Sequence, residues 1–166
     1  MWGPFSKLGA SVAVLTFVID QCHKWWMLEV VRIQDQGRVA VLPFLDWQYM
    51  LNTGVSFSML DKSSQSWQLT LTTFSLAASA VMWVWLSRPD TTRPMALGLA
   101  LIIGGALGNA VDRVRLGGVA DYVLPHAFGV DWPNIFNIAD VAIVAGVALL
   151  LYDTFVPSRN DAANPL

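Results

Sequence analysis

A chain of 166 residues has room for one domain. It is 55% hydrophobic and 13% charged with a mean hydropathy of +0.50, against about 25% charged in soluble domains, so lipid rather than water is the expected solvent. The net charge of −2 gives no electrostatic basis for nucleic-acid binding, and the single cysteine, Cys22, excludes an internal disulfide.

The first apolar segment, about 8–31, has no small-residue cleavage site and ends in Asp20, Gln21, His23 and Lys24, so it reads as a retained anchor. The stretch 32–66 mixes Val, Leu, Phe, Trp and Tyr with turn residues and predicts short strands near a membrane surface, with a turn at NTGVSF from Asn52. A second span is expected at about 67–86, a tight polar turn at Ser87–Arg93, and a third span at about 95–111. The Gly-, Pro- and aromatic-rich stretch 112–137 predicts a structured surface loop, and 138–155 a fourth span. Each span is close to the roughly 20 residues that a helix needs to cross hydrocarbon. The tail after Phe155 reads as disordered. The expected architecture is an all-α, four-helix membrane protein in one domain (1–166), with a small β-rich extracytoplasmic platform and a structured loop between helices three and four.

Four spans place both termini on one side and both long connections on the other. Asp20, Lys24, Asn52, Asn109, Asp112, Arg113, Asp121, Asn137 and Asp140 then share a single face. Positive charge does not orient the chain. Setting aside Lys24 and Arg113 leaves four Lys and Arg on each side, and the positive-inside rule needs an excess.

Charged and amide groups at the edge of hydrocarbon are costly and are therefore functional candidates. Asp20 and Lys24, four residues apart, share a helix face and form either a pocket wall or a neutralising pair beside the Trp25–Trp26 belt. Asn109, Asp112 and Arg113 (i, i+3, i+4) put an amide, a carboxylate and a guanidinium near the end of the third span. There they serve either ligand contact or anchoring of the helix end. Gly104 and Gly108 have the spacing of close helix packing in lipid. Asp140, just inside the fourth span and one turn after Asn137, also fits a simple contact with the helix dipole. Asp121 in VADYV does not. Two carboxylates facing each other in a poorly hydrated site share a proton, and such a pair can activate water and protonate a carbonyl. HExxH is absent, the only histidines are His23 and His126, and no serine or Gly-rich phosphate motif is present.

With these residues in view, GGALGNAVDR (Gly104 to Arg113), Asp121, and FNIAD (Phe136 to Asp140) resemble the bacterial lipoprotein signal peptidase family, signal peptidase II. The Asp20/Lys24 segment, NTGVSF and the order of the spans agree, from about Leu8 to Phe155. The resemblance implies an intramembrane aspartyl endopeptidase of the bacterial inner membrane. Its site faces outward and both its termini are cytoplasmic. It would remove signal peptides from prolipoproteins at the bond before a diacylglyceryl-modified cysteine. Carried over by motif, Asp121 and Asp140 are the catalytic pair. Asn52, Gly54, Asn109, Arg113 and Asn137 contact substrate or shape the pocket, and Asp20, Lys24 and Asp112 support them. The resemblance implies no metal or organic cofactor. Membrane lipid would be a partner and the cyclic peptide globomycin an inhibitor. Val55 and Ser56 replace a frequent pair of alanines, and VADY replaces a frequent VVDF, which bears on pocket shape more than on chemistry. Two other readings stay open at the level of residues. One is a small transporter or channel subunit relaying protons through carboxylates. The other is a non-catalytic peptide-binding membrane protein.

Overall fold

The computed structural model describes residues 2–54 and 65–155. Val55, Ser56 and Phe57 of the expected turn, and the tail after Phe155, lie outside the described residues. Helix α1 (Ser6–Trp25) runs on into a π-helical turn (Trp26–Val31), which ends at Arg32 in the left-handed region (φ 53°). A single turn, α2 (Ile33–Gln36), leads to strands β1 (Arg38–Leu42) and β2 (Leu45–Asn52). Helices α3 (Gln65–Leu86) and α4 (Arg93–Leu116) follow, then β3 (Val119–Ala127), β4 (Val130–Asp131) and α5 (Ile138–Phe155).

Three of these helices, α3, α4 and α5, are long and apolar enough to cross a membrane, with mean hydropathies of 1.6, 1.7 and 1.9. Helix α1 is less apolar because Lys7, Asp20 and Lys24 interrupt it. Helix α4 is the central element. Over its apolar window 56% of residues are buried, against 17% in α3 and in α5, so α3 and α5 present most of their apolar surface outward. Small residues let the neighbours close on α4. A Cβ at Gly104 would sit 2.6 Å from the Ala13 carbonyl oxygen of α1, and one at Gly108 would strike the Asp20 carboxylate. On another side of α4, a Cβ at Gly105 would sit 2.6 Å from the Ala139 carbonyl oxygen of α5. The packing role expected of Gly104 and Gly108 is thus the observed one.

Helix α4 runs past the expected end at Val111 to Leu116. Asp112 and Arg113 therefore lie on the helix, not in the loop. It stops at Gly117, which takes the left-handed C-cap (φ 74°) and donates its N–H to the Arg113 carbonyl oxygen. At its other end Thr92 caps the Met95 N–H (3.2 Å) and donates its hydroxyl to Asp153 of α5 (2.6 Å).

The expected loop 112–137 also differs from the observed structure. It supplies β3 and β4, which extend the β1–β2 hairpin into one antiparallel sheet of order β1-β2-β3-β4. A bulge between Trp47 and Met50 shifts the register, so that Met50 pairs with Asp121 and Asn52 with Val119. Residues Val119 to Tyr122 are all buried, which is why the segment shows no polar–apolar alternation. Tyr122 packs with Met27 and Ile33 beneath the π-helical turn, and its neighbour Asp121 points to the opposite face.

Candidate active site

Helix α5 begins at a reciprocal cap. Asn137 is the N-cap and Asp140 the third helical residue. The Asp140 N–H donates to Asn137 Oδ1 (3.0 Å) and the Asn137 N–H donates to Asp140 Oδ2 (3.2 Å). The Ala139 N–H, another unpaired donor of the first turn, is taken by Asp20 Oδ1 of α1 at 3.0 Å. This side-chain capping fixes Asp140 in space.

Asp121 approaches from β3. Its Oδ1 accepts from Asn137 Nδ2 at 2.6 Å and its Oδ2 from Asn52 Nδ2 at 2.9 Å. Asn52 is two residues diagonal to Asp121 across the β2–β3 pair, which puts both on one face of the sheet. Asn109 of α4 completes the group. Its Nδ2 donates to Asp140 Oδ1 at 2.9 Å, and its Oδ1 accepts from Asn137 Nδ2 at 3.2 Å. Three asparagines thus link the two carboxylates. Asp121 and Asn137 are wholly buried. Burial pushes the Asp121 carboxyl up to about 6. The neighbouring Asp140 charge adds to this, while hydrogen bonds from Asn52 and Asn137 and the Lys24 charge act the other way.

Behind the carboxylates lies a buried charge cluster. Lys24 Nζ is 2.9 Å from Asp20 Oδ2, 2.8 Å from Asp112 Oδ2 and 2.9 Å from Asn109 Oδ1. Asp20 and Lys24 are therefore a pair, as their spacing suggests, but one shared with Asp112. Asp112 also accepts from the Ala120 N–H (3.2 Å), which ties α4 to β3. Arg113, adjacent in sequence, turns away from this cluster. It lines a cavity of about 650 Å³ together with Asn52, Gly54, Phe136 and Asp140. Its Nε is buried with no hydrogen-bond partner among the described residues. Gly54, in the left-handed region (φ 90°), donates its N–H to Asn52 Oδ1 at 2.9 Å and so turns the Asn52 amide toward Asp121. On the other side of Phe136 and Asp140, an apolar groove of about 630 Å³ runs along α5 past Val141 and Val144 to Ala148.

All ten candidate residues thus fall in or directly behind one site. Sequence reasoning missed Gln21, whose Nε2 lies within reach of Asp20 Oδ2, Asp112 Oδ1 and the Gly108 carbonyl oxygen. Its position between Asp20 and Lys24, at one depth, is the signal that could have found it. The buried Tyr122 hydroxyl beside His23 Nδ1 (2.9 Å) was also missed, as was a polar row across the platform. In that row Arg38 holds Asp131 through two hydrogen bonds (2.7 and 2.8 Å) and Asp46 through a third (2.5 Å), and Asp46 also faces His126. The Arg38 guanidinium holds the carboxyls of Asp46 and Asp131 below the usual range. Among the described residues, no three His, Cys, Asp or Glu side chains are grouped to hold a metal ion.

This arrangement has close relatives. A lipoprotein signal peptidase of Methylocella silvestris is 46% identical over 92% of this chain and 88% of its own length, and one of Rhodopseudomonas palustris is 41% identical over 90% and 93%. A bacterial membrane enzyme solved by the in meso method at 1.9 Å resolution superposes with a TM-score of 0.73 at 28% identity, covering 92% of this chain and 95% of that one. The family model described as signal peptidase (SPase) II matches residues 12–156, nearly the whole of the described membrane structure, and the chain belongs to that family.

Proposed function

We propose that this chain is a membrane endopeptidase that removes signal peptides from diacylglyceryl-modified prolipoproteins, with Asp121 and Asp140 as its catalytic pair. The observation that carries the assignment is the Asn137 side chain. Its amide NH2 holds Asp121 at 2.6 Å while its oxygen caps the Asp140 N–H, so that one residue ties the buried Asp121 to Asp140, which lines the 650 Å³ cavity. Membership of the signal peptidase II family supports the reaction and the prolipoprotein substrate.

In this reading a water held between the carboxylates gives a proton to Asp140 as its oxygen bonds to the scissile carbonyl carbon, and Asp121 gives its proton to the carbonyl oxygen. Collapse of the resulting gem-diol breaks the C–N bond. The leaving amine takes the proton from Asp140, and a diol proton returns to Asp121, so no acyl-enzyme forms. Asn52, Gly54 and Arg113 line the chamber that receives the peptide, and the apolar groove beside α5 opens toward lipid.

The one-domain membrane architecture extends the same reading. Helix α1, with 20 residues and its charges near the ends, crosses the bilayer alongside α3, α4 and α5. Four spans then put both termini on one side and the sheet on the other, and the resemblance to signal peptidase II makes the terminal side the cytoplasm of a bacterial inner membrane. Globomycin, as a cyclic peptide, would compete for the chamber. The proton-relay alternative is disfavoured because Asp20, Lys24, Asp112, Asp121 and Asp140 gather at one end, leaving the centres of α3 and α5 without ionisable residues.

The test is a gel-shift assay in liposomes on a diacylglyceryl-modified prolipoprotein. Wild type should release the signal peptide, and Asp121→Asn and Asp140→Asn, each checked for folding, should not. A mass-spectrometric acyl-enzyme adduct, or cleavage that persists in either variant, would overturn the dyad. Substrate binding by folded wild type without any cleavage would favour a binding role for the site.

A further inference from the structure

The geometry points to Lys24 as a positioning residue for the carboxylate pair: its ammonium sets which way the Asn109 amide faces, and so holds Asp140 as the hydrogen-bond acceptor that receives the proton of water. This inference rests on the dyad reading above.

An ammonium has three N–H donors and no acceptor. Those of Lys24, buried to 3% exposure, are matched one for one by Asp20 Oδ2, Asp112 Oδ2 and Asn109 Oδ1, all within 2.9 Å. The atom of Asn109 that faces Lys24 must therefore be its oxygen, and the NH2 must face Asp140 Oδ1, 2.9 Å away. Turned over, the Asn109 NH2 would confront the ammonium and the Asn137 NH2, and its oxygen would confront a carboxylate. An NH2 group donates only, so the Asp140 oxygen it meets cannot carry the shared proton in that direction.

The other two asparagines are oriented by their own turns. Asn137 Oδ1 is fixed by the Asp140 N–H three residues on, and Asn52 Oδ1 by the Gly54 N–H two residues on. Asn109 Oδ1 accepts from the Asn137 NH2 at 3.2 Å and, at shorter range, from a distant charge, Lys24 Nζ at 2.9 Å, 85 residues away on α1. The charged and titratable groups facing this region are Asp20, His23 and Lys24 from α1, Tyr49 from β2, Asp112 and Arg113 from α4, and Asp121 and Tyr122 from β3. Lys24 is the cation among them that touches the amide network directly.

A purely structural lysine would tie α1 to α4 and leave the chemistry unchanged once the protein is folded. The two roles separate in a pH profile of liposome cleavage under saturating substrate. Lys24→Met combined with Asp112→Asn keeps the formal charge of the cluster and leaves Asn109 Oδ1 only the longer contact with Asn137. Asn109→Leu removes the amide and keeps both salt bridges of Lys24. Either change weakens or removes the amide donor to the carboxylate that receives the water proton. The acidic limb of the profile should rise by about one pH unit, with KM changed less than about threefold. Combining the changes should add nothing further, because they act through one amide. Folded variants with the wild-type limb, or shifts that add, overturn the inference. An unshifted limb in Asn109→Leu overturns it even where the lysine variant does not fold. Asp140→Asn, measured alongside, separates the two levels: retained cleavage there sinks the dyad itself, whereas abolished cleavage with unshifted limbs sinks only the role of Lys24.

Discussion

Asn137 and Asp140 cap each other at the start of α5, through the Asp140 N–H to Asn137 Oδ1 (3.0 Å) and the Asn137 N–H to Asp140 Oδ2 (3.2 Å). Asp140 therefore serves the helix as well as the site, and substitutions can separate these roles. Asp140→Asn keeps an acceptor oxygen and should unfold within about 1 kcal/mol of wild type, whereas cleavage should fall by ~10²–10⁴-fold or more. Thermal unfolding in lipid and a processing assay on the same preparation check both halves. A folded variant with near-normal turnover contradicts the assignment.

Asn137→Ala removes the cap and the 2.6 Å bond to Asp121 together. It should cost about 1–2 kcal/mol through the helix terminus and also abolish cleavage. Asn137→Asp keeps an acceptor for the Asp140 N–H but puts a carboxylate against Asp121. It should fold better than the alanine variant and remain inactive, which unfolding curves and gel-shift cleavage will read.

Asp121 is raised to about 6 from 3.8, so between those values the folded protein binds more protons than the unfolded chain. Its contribution to stability therefore falls as pH rises through that window. As the proton donor, Asp121 should define the alkaline limb of kcat/KM in the free enzyme. Asn52→Leu removes a hydrogen bond that lowers this carboxyl, and should move that limb to higher pH. A limb that stays in place or moves down contradicts the role of Asp121 as acid.

Gly104 leaves no room for a side chain, since a Cβ there meets the Ala13 carbonyl oxygen at 2.6 Å. Gly104→Val should force α1 away from α4 and destabilise by about 1–3 kcal/mol. Because Lys24 and Asp20 ride on α1, cleavage should fall with it. Gly117→Ala, in open space but at φ 74°, should lose less, about 1 kcal/mol, with cleavage retained. Thermal melts of both variants decide the order.

Much of this site is legible in the sequence because lipid makes polar groups conspicuous. Asn109, Asp112, Arg113, Asn137 and Asp140 stand out against apolar spans, and the start of α5 falls where FNIAD places it. The reciprocal cap is also written there, since an asparagine followed three residues later by an aspartate is a helix-start signal, although it reads equally well as a dipole contact. What hides is what depends on partners distant in the chain. Nothing near Asp20 announces the Ala139 N–H, and nothing in VADYV announces a strand that is covered on both faces and pairs with β2. The extension of α4 to Leu116 is visible in hindsight from the Gly117–Gly118 stop. Arg38 and Asp131 gave no local sign of meeting, because they join β1 to β4 across 93 residues.

The exposed Arg38 tie is the weakest of these links. Surface ion pairs are screened, so Arg38→Gln should speed amide exchange in β4 at low salt and have little effect at high salt. Exchange that is equally fast in wild type would show that the sheet hydrogen bonds alone hold the strand.

The partners that shape the carboxylate pair, apart from Asn137 within FNIAD, come from remote parts of the chain. Asn52 is 69 residues from Asp121, Asn109 is 31 from Asp140, and Asp20 is 119 from the amide it caps. During biosynthesis α1, the β1–β2 hairpin and α4 all precede α5, so on the proposed dyad the site is incomplete until Asp140 emerges. Proteolytic competence would then arrive in one step with the last helix of the described chain.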